Sequence, residues 1–387
     1  MDRTIVDYLS EQRASFNSIP LNDVDSLIFS TIAYFSFENG VLERTIPAEL
    51  VALPVAVCGI SREDLYGGVW LSRMGGDDFL SALLASPRFM NSKVGFYIRE
   101  SSSHFEKQFS AITFYLPNDS AYIAFRGTDN SLAGWKENFN LTFMEAVPSQ
   151  LSARSYLEDI ASAGVQKVYV GGHSKGGNLA EYAALTCRNQ TFDKIIRVFN
   201  HDGPGFAFTP SDRVPSEAYR TKLRKTVPES SVFGMLMETR PCYRVVSASG
   251  FLFAQHASTH WRVEDNDFVT ASEITPEAAI ISNTLTTWAN SYEPEKRELF
   301  IDAGYNLFCA ANAETWAQFG ENPASNALAV AEATAKLPPD MRATFFSMIR
   351  DIAPIVSSEA AQRVRQDSRR ARSHPHKADS SQPKADS

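Results

Sequence analysis

The chain has 387 residues, 44% of them hydrophobic, and a formal net charge of −8 at pH 7. This length and composition allow a sizeable core, in one large domain or two ordinary ones. The acidic balance argues against nucleic acid and anionic membrane surfaces as main partners. The four cysteines stand at long, irregular spacings, which indicates neither a zinc site nor a disulfide framework.

The N-terminal segment MDRTIVDYLSEQR is charged and lacks the apolar run of a signal peptide. No stretch approaches the roughly 20 apolar residues of a transmembrane helix. We therefore expect a cytoplasmic protein without a transmembrane segment. Because the sequence has no P-loop, no HExxH and no GxGxxG after a strand, we also expect no metal and no other cofactor. The oligomeric state is left open.

The first half of the chain carries helix and hairpin signals. LNDVDSLIFSTIAYFSF has apolar residues at helical spacing and predicts a helix capped by Asn22 or Asp23. FSAITFYLP and AYIAFRG are rich in β-branched and aromatic residues and flank a turn at 118–120. These two segments predict a hairpin that leads into Thr128.

Strands and helices then alternate. LSARSYLEDIASAG predicts a helix, VQKVYVGG a strand, HSKGGNLAEYAALTC a helix, and KIIRVFNHDGPGF a second buried strand. Such alternation favours an α/β protein with a mainly parallel sheet that is flanked by helices on both faces. YRVVSASGFLFAQHA is the last strand-like element, with a possible hairpin at Ser249-Gly250.

The C-terminal third has a different character. From Thr275 onward, three stretches show the apolar spacing of amphipathic helices, and from about Gln366 the chain loses apolar residues and repeats KADS. We therefore predict an α/β domain over 1–272 that includes the N-terminal helices, a helical extension packed on it over 273–365, and a disordered tail over 366–387.

A G-x-S-x-G pentapeptide covers residues 172–176 and has Ser174 at its centre. The pattern is weak alone, but here a strand precedes it and a helix follows it, as a nucleophile elbow requires. Flanking glycines relieve steric crowding around a serine in a strained turn. Ser174 is therefore the candidate nucleophile, and the alternative is a turn that merely contains serine.

These residues resemble a known family. GGHSKGGNLA is similar to the elbow GHSLGGALA of class 3, fungal-type lipases, with Lys175 where those carry leucine, and AFRGTD is similar to their F-R-G-T/S segment. The combination FRGTD…GW…N, HSKGGN, DGPGF and QH…W resembles an uncharacterised bacterial family of lipase-like proteins over most of residues 1–270. The resemblance implies an α/β-hydrolase fold and a serine esterase of unassigned substrate.

The order serine, acid, histidine of this fold limits the candidate bases. Five histidines follow Ser174, of which two lie in the tail and His201 lies at a strand end. His256 and His260 remain, both in AQHASTHW, and His256 matches the QH motif of the resembled family. We predict His256 as the general base, with His260 as the alternative.

Two residues are candidates for the acid. Asp202, in HDGPGF, resembles the acid of the LDPAGP turn in pancreatic-type lipases, and without that role it is a turn former. Glu229, in TVPESSVFG, is the alternative, because class 3 lipases place their acid in a comparable later loop.

An oxyanion hole needs backbone donors from two loops, and Thr128 and Lys175 fit these positions. Class 3 lipases carry a hydroxyl residue at the position of Thr128. We expect Arg126 to form a structural ion pair with Asp129 or Glu137. A functional Lys175 ammonium would pair with a substrate carboxylate or a neighbouring acidic side chain.

These residues predict hydrolysis of a carboxylic ester, either a small molecule or a lipid, through an acyl-enzyme on Ser174. The apolar segment VFGMLM is either a mobile cap or part of the core. Two alternatives stay open. One is a binding module that keeps the fold without turnover, and the other is a thioesterase or amidase with the same triad.

Overall fold

An eight-stranded sheet organises the molecule in this computed structural model, which describes residues 3–44, 49–66, 75–102, 104–129, 132–214, 216–240, 242–310 and 323–373. A two-stranded ribbon lies apart from the sheet. The strands are β1 Val51–Ala52, β2 Lys93–Ser102, β3 Lys107–Tyr115, β4 Ala121–Phe125, β5 Val168–His173, β6 Ile195–His201, β7 Leu223–Pro228, β8 Tyr243–Val246, β9 Val263–Glu264 and β10 Asp267–Phe268.

The strand order in the sheet follows the chain order from β1 to β8. Strands β1 to β4 pair antiparallel, and β4 to β8 pair parallel. The predicted hairpin is confirmed, because β3 and β4 pair around the turn with Tyr115 opposite Ala121. The mostly parallel sheet flanked by helices is confirmed as well. Since β4 to β8 run the same way, their carboxyl ends meet at one edge of the sheet, where α/β proteins bind ligands.

Helices cover both faces of the sheet. They are α1 Ile5–Glu11, α2 Asp23–Ile32, α3 Val41–Arg44, α4 Leu53–Cys58, α5 Arg62–Tyr66, α6 Gly76–Leu84, α7 Pro87–Met90, α8 Leu132–Asn140, α9 Pro148–Ser162, α10 Lys175–Thr186, α11 Asn189–Lys194, α12 Glu217–Lys222, α13 Pro276–Asn290, α14 Pro294–Cys309, α15 Pro323–Lys336, α16 Pro339–Arg350 and α17 Ile352–Ser373. Short 3-10 helices cover Phe233–Met235, Leu252–His256 and Ser258–His260. Asn22 caps α2, as predicted, by accepting a hydrogen bond from Asp25 N at 2.9 Å.

Strand β4 shows how the two cores form. Because side chains alternate across a strand, Tyr122 and Ala124 pack with α2 on one face of the sheet, whereas Ile123 and Phe125 pack with α9 and α10 on the other. All four side chains are buried. A strand that is apolar on both faces is typical of a covered parallel sheet.

A buried ion pair joins the N-terminal helices. The Arg88 guanidinium donates to Asp25 with distances of 2.6 and 2.8 Å, and both side chains are fully buried. Tyr8 on α1 donates its hydroxyl to the same carboxylate at 3.0 Å. The Arg88 guanidinium also lies 4.0 Å from the centre of the Phe16 ring. These contacts tie α1, α2 and α7 together on one face of the sheet.

The C-terminal helices pack on the sheet domain and on each other. Helix α13 lies along α17 and contacts the 3-10 turn Phe233–Met235, while α14 contacts α8, α15 and α16. The Trp288 indole N–H donates to Met348 O at 2.7 Å, and Tyr292 donates to Asp351 at 2.7 Å. The division at 272 and 273 remains a prediction.

Two segments differ from the sequence expectations. Helix α17 continues to Ser373, so residues 366–373, which the sequence analysis assigned to the disordered tail, are helical, in keeping with the high helix propensity of arginine and alanine. Residues 374–387 lie outside the described residues. The possible hairpin at Ser249-Gly250 is wrong, because after β8 the chain turns at Gly250, where φ is +88°, into the 3-10 helix Leu252–His256.

We predict that Arg88→Met lowers the free energy of unfolding by about 3–5 kcal/mol, because it leaves the Asp25 charge buried and unpaired. Chemical denaturation measures the change. The matched control is Arg62→Met, since Arg62 pairs with Asp77 where both side chains are 64% exposed, and its loss should stay below about 1 kcal/mol. Equal losses in the two variants would contradict the prediction.

Candidate active site

Ser174 stands in a strained turn between β5 and α10. Its φ is 58° and its ψ is −133°, a conformation that residues other than glycine rarely adopt. Its backbone N–H donates to His201 O on the neighbouring strand at 2.9 Å. The turn therefore fixes Ser174 at the carboxyl edge of the sheet, at the beginning of a helix.

The glycines on either side make this turn possible. A Cβ on Gly172 would lie 2.2 Å from the carbonyl carbon of Gly176, and a Cβ on Gly176 would lie 2.1 Å from Phe125 O. Real Cβ atoms do not approach backbone so closely. The G-x-S-x-G pattern thus follows from the steric demands of helix α10 crossing β4 and β5 at close range.

Asp202 occupies the equivalent point on the next strand. His173 of β5 and His201 of β6 are register partners, so Ser174 and Asp202 leave the sheet at the same level. Asp202 also has a positive φ of 54°. The His256 Nδ1–H donates to Asp202 Oδ2 at 2.6 Å.

The other oxygen of Asp202 is held by the 3-10 turn that follows β7. Gly234 N donates to Asp202 Oδ1 at 3.1 Å, and the Ser231 hydroxyl donates to the same atom. A Cβ on Gly234 would lie 2.3 Å from that oxygen. The segment VFGMLM therefore supports the carboxylate, and Val232 and Met237 within it are buried.

Polar side chains fix the loop that carries His256. Gln255 accepts from Ser230 N at 2.7 Å and donates to Ala248 O at 3.0 Å. The indole N–H of the fully buried Trp261 donates to Gln255 O at 2.9 Å. The residues of the QH…W motif thus anchor the histidine loop to the ends of β7 and β8.

His256 also approaches the turn that carries Ser174. Its ring lies 4.5 Å, centre to centre, from the ring of His173, the residue directly before Ser174. The ring of Phe233 lies 4.6 Å, centre to centre, from the ring of His256. The structure thus brings Ser174, Asp202 and His256 to one edge of the sheet.

The alternative candidates have other partners. Glu229 accepts from the Ser247 hydroxyl at 3.4 Å, and the His260 Nδ1–H donates to Ala254 O at 2.8 Å. His256 is the histidine that the structure pairs with Asp202.

Thr128 follows β4 at the same edge. Its hydroxyl is buried, and among the residues that the structure describes it has no hydrogen-bond partner. A Cβ on the preceding Gly127 would lie 2.7 Å from His173 O. The loop that carries Gly127 and Thr128 therefore passes directly beside the turn that carries Ser174. Across the site, Lys175 is the first residue of α10, and the first N–H groups of a helix lack partners within it.

The Lys175 ammonium points away from this edge into a buried polar cluster. It donates to Glu137 Oε2 at 2.8 Å, to Gln108 O at 2.7 Å and to Gln108 Oε1 at 3.0 Å. Glu137 also accepts from Ser149 N at 3.0 Å. Lys175 thus donates all three of its ammonium protons to groups inside the protein. Of the two partners that the sequence analysis considered, the structure shows the neighbouring acidic side chain.

Arg126 forms an ion pair of the kind expected. Its guanidinium lies 3.2 Å from Asp129 Oδ2, and Arg126 is buried. Burial lowers its pKa, and the nearby Asp129 carboxylate opposes that effect.

His201 lies in the core beneath the site. It contacts the hydroxyls of Ser26 at 2.8 Å and Thr226 at 2.7 Å. Burial lowers the pKa of His201 to about 3, so the ring is neutral at pH 7.

No helix in the described residues is both long enough and apolar enough to span a membrane. The described part of the chain also holds no group of three or more histidine, cysteine, aspartate or glutamate side chains suited to a metal ion.

The fold and this site define an α/β protein with a strained serine between a parallel strand and a helix. A family model described as Mbeg1-like matches residues 83–306, so the protein belongs to the Mbeg1-like family, which is lipase-like. Among solved structures, the chain is similar to a Rhizomucor miehei lipase, in the structure titled "Rhizomucor miehei lipase propeptide complex, native", with 18% identity and a TM-score of 0.31. That match covers 41% of this chain and 58% of the lipase chain. No curated protein matches.

The sequence analysis missed several residues that build the site. Ser231 and Gly234 hold Asp202, and the one available signal was a glycine inside an apolar run. Tyr34, in the turn after α2, contacts His173 far away in the sequence, and no local pattern indicates it.

The buried His201 predicts a pH dependence of stability. Its folded pKa is below its unfolded value near 6.5, so the stability that it contributes is complete above that value and is lost as the pH falls toward 3. We predict that between pH 7 and pH 5 the free energy of unfolding falls by about 2 kcal/mol less in His201→Gln than in the wild type. Urea denaturation at both pH values tests this. Thr226→Val removes a hydrogen bond but keeps the histidine, so it should lower stability and retain the wild-type slope.

Proposed function

We propose that the protein is a serine hydrolase of α/β-hydrolase type that cleaves carboxylic esters. In this proposal Ser174 is the nucleophile, His256 the general base and Asp202 the acid that orients it. The observation that carries the proposal is the 2.6 Å hydrogen bond between His256 and Asp202 beside the strained turn of Ser174. Membership of a lipase-like family supports it.

The Asp202 contacts fit this role. Because the His256 Nδ1–H donates to the carboxylate, the other ring nitrogen, Nε2, carries the lone pair that accepts a proton. The second Asp202 oxygen accepts from Gly234 N and Ser231, which fixes the orientation of the carboxylate. Asp202 then stabilises the imidazolium that forms during the reaction.

The reaction proceeds in two halves. His256 removes the proton of the Ser174 hydroxyl while its oxygen attacks the ester carbonyl, and His256 passes that proton to the departing alcohol. Water then attacks the acyl-enzyme and gives a proton to His256, which passes it to the Ser174 oxygen as the ester bond breaks, so the acid and free Ser174 are released. The backbone N–H groups of Thr128 and Lys175, with the Thr128 hydroxyl, are the proposed donors to the oxyanion.

The surface beside His256 favours an apolar acyl group. Phe251 and Phe253, on the loop that carries His256, are 60% and 56% exposed. The Phe253 ring lies 5.5 Å from Phe233, whose ring contacts His256. An aromatic surface thus runs from solvent to the proposed base, and it suits the hydrocarbon part of a lipid ester.

We also propose that the enzyme acts in the cytoplasm, because its four cysteines are all free thiols. We further propose that the substrate is held by the domain over 1–272 and that the helices after it support the site through the contact of α13 with Phe233–Met235.

A fluorophosphonate probe tests the nucleophile. We predict that the wild type forms a covalent adduct on Ser174, that Ser174→Ala forms none, and that His256→Gln and Asp202→Asn are labelled at least about 100-fold more slowly. Mass spectrometry of the digested protein locates the adduct, and samples quenched at timed intervals give the labelling rates.

The alternative candidates supply the matched controls. Glu229→Gln and His260→Gln should be labelled at close to the wild-type rate, because neither side chain contacts Asp202 or His256 in the structure. A folded wild type that does not react would refute the hydrolase and favour the binding module. Rates that depend on Glu229 or His260 would reassign the triad.

The aromatic surface predicts chain-length selectivity. We expect the double variant Phe251→Ser/Phe253→Ser to lose about tenfold in kcat/KM on p-nitrophenyl octanoate and little on the acetate, because each buried CH₂ contributes about 0.8 kcal/mol. Leu328→Ser on α15 is the control, since Leu328 is 63% exposed but lies outside the site. Equal losses on both esters would show that the phenylalanines do not contact the acyl chain.

A further inference from the structure

A buried histidine connects the two loops of the proposed catalytic pair. His173 directly precedes Ser174, and its Nε2 lies 2.7 Å from the main-chain oxygen of His256. The side chain of His173 is fully buried, and its ring lies against the ring of His256. The proposed mechanism assigns His173 no role.

The protonation of His173 follows from its partners. A carbonyl oxygen only accepts hydrogen bonds, so the proton of the ring stands on Nε2 and donates to His256 O. Burial, and secondarily the neighbouring His256, lowers the pKa of His173 well below its usual value, so the ring stays neutral. Its Nδ1 therefore carries a lone pair, and the Tyr34 hydroxyl donates to it at 3.0 Å.

Tyr34 selects this tautomer. Burial raises the pKa of its hydroxyl, which therefore keeps its proton and remains a donor. The hydroxyl also touches the Thr128 loop, because a Cβ on Gly127 would lie 2.0 Å from it. The Tyr34–His173 pair thus lies where three segments meet: the loop before Thr128, the turn of Ser174 and the loop of His256.

We propose that His173 is a positioning residue for catalysis, which holds the main chain of His256 at a fixed distance from Ser174, and that Tyr34 fixes the tautomer it needs. This inference rests on the proposed function. The physical reason is that Ser174 and His173 are adjacent in the chain. One hydrogen bond from His173 to His256 O therefore fixes the position of the proposed base relative to the proposed nucleophile. Misplacement of a catalytic group by about 1 Å costs about 100-fold in rate.

The test compares His173→Gln with His173→Leu. The Nε2–H of glutamine reaches about as far as that of histidine and restores the donor to His256 O, whereas leucine fills the space without a donor. We expect His173→Leu to lose about 100-fold in kcat and in the rate of fluorophosphonate labelling, with KM nearly unchanged. His173→Gln should stay within about tenfold of the wild type.

The order of the two variants separates positioning from packing. In a buried position the apolar leucine should be tolerated at least as well as the polar glutamine, so a packing role predicts that thermal stability and activity both favour leucine. Positioning predicts higher activity for glutamine even where its melting temperature is lower. Activity of His173→Leu equal to or above that of His173→Gln would overturn the inference.

Tyr34→Phe provides a second variant that keeps the ring and removes the hydroxyl, and with it the donor to Nδ1. Without that donor, His173 can carry its proton on Nδ1 and lose the bond to His256 O, so we expect a fall in kcat of about tenfold without a change in KM. A kcat for Tyr34→Phe equal to that of the wild type would refute the role of Tyr34. If the wild type is labelled on Ser174 and neither His173 variant changes the labelling rate, the positioning role of His173 is refuted and the proposed function stands. If the wild type is not labelled, both the proposed function and the role of His173 are refuted.

Discussion

The close approach of backbone segments around Ser174 is the constraint on which the rest of the site depends. Helix α10 begins so near β4 and β5 that neither Gly172 nor Gly176 has room for a Cβ. This proximity forces Ser174 into a conformation that costs of order 1–3 kcal/mol, which the surrounding sheet must offset. It also sets Ser174 level with Asp202, since their strands are in register. His256 contacts Asp202 at this level, and the loop before Thr128 passes beside His173 O.

The polar groups around the carboxyl edge of the sheet, where Ser174 and Asp202 lie, are buried, and the charged ones are paired. Lys175 pairs with Glu137, and Asp202 receives three donors. His201 is neutral between two hydroxyls. A buried polar network of this kind is rigid only when its members are satisfied. Where the resembled lipases carry leucine, Lys175 thus forms an ion pair with Glu137 that holds α8 against α10.

How much the sequence predicted depended on how local each feature is. The β3–β4 hairpin, the cap at Asn22 and the strand–helix alternation follow from residues close together in the chain, and these predictions were confirmed. The sequence also left Asp202 and Glu229 both open as the acid, because the contact between His256 and Asp202 joins residues 54 positions apart in the chain. The partners of Lys175 and the contact of Tyr34 with His173 join segments more than 35 residues apart, for which periodicity and turn signals carry no information.

The surroundings of His256 and His173 show why two adjacent imidazoles have different roles. His256 lies partly exposed with a carboxylate on one ring nitrogen, so its ring is held in one orientation, as the proposed exchange of protons at the other nitrogen requires. His173 is fully buried and hydrogen-bonded to an uncharged hydroxyl and a carbonyl, so its charged form is disfavoured. If His173 also became charged, it would repel an imidazolium on His256, whose ring lies 4.5 Å away. In the proposed reaction, a proton taken from Ser174 would therefore stay on His256, where it is available to a leaving alcohol.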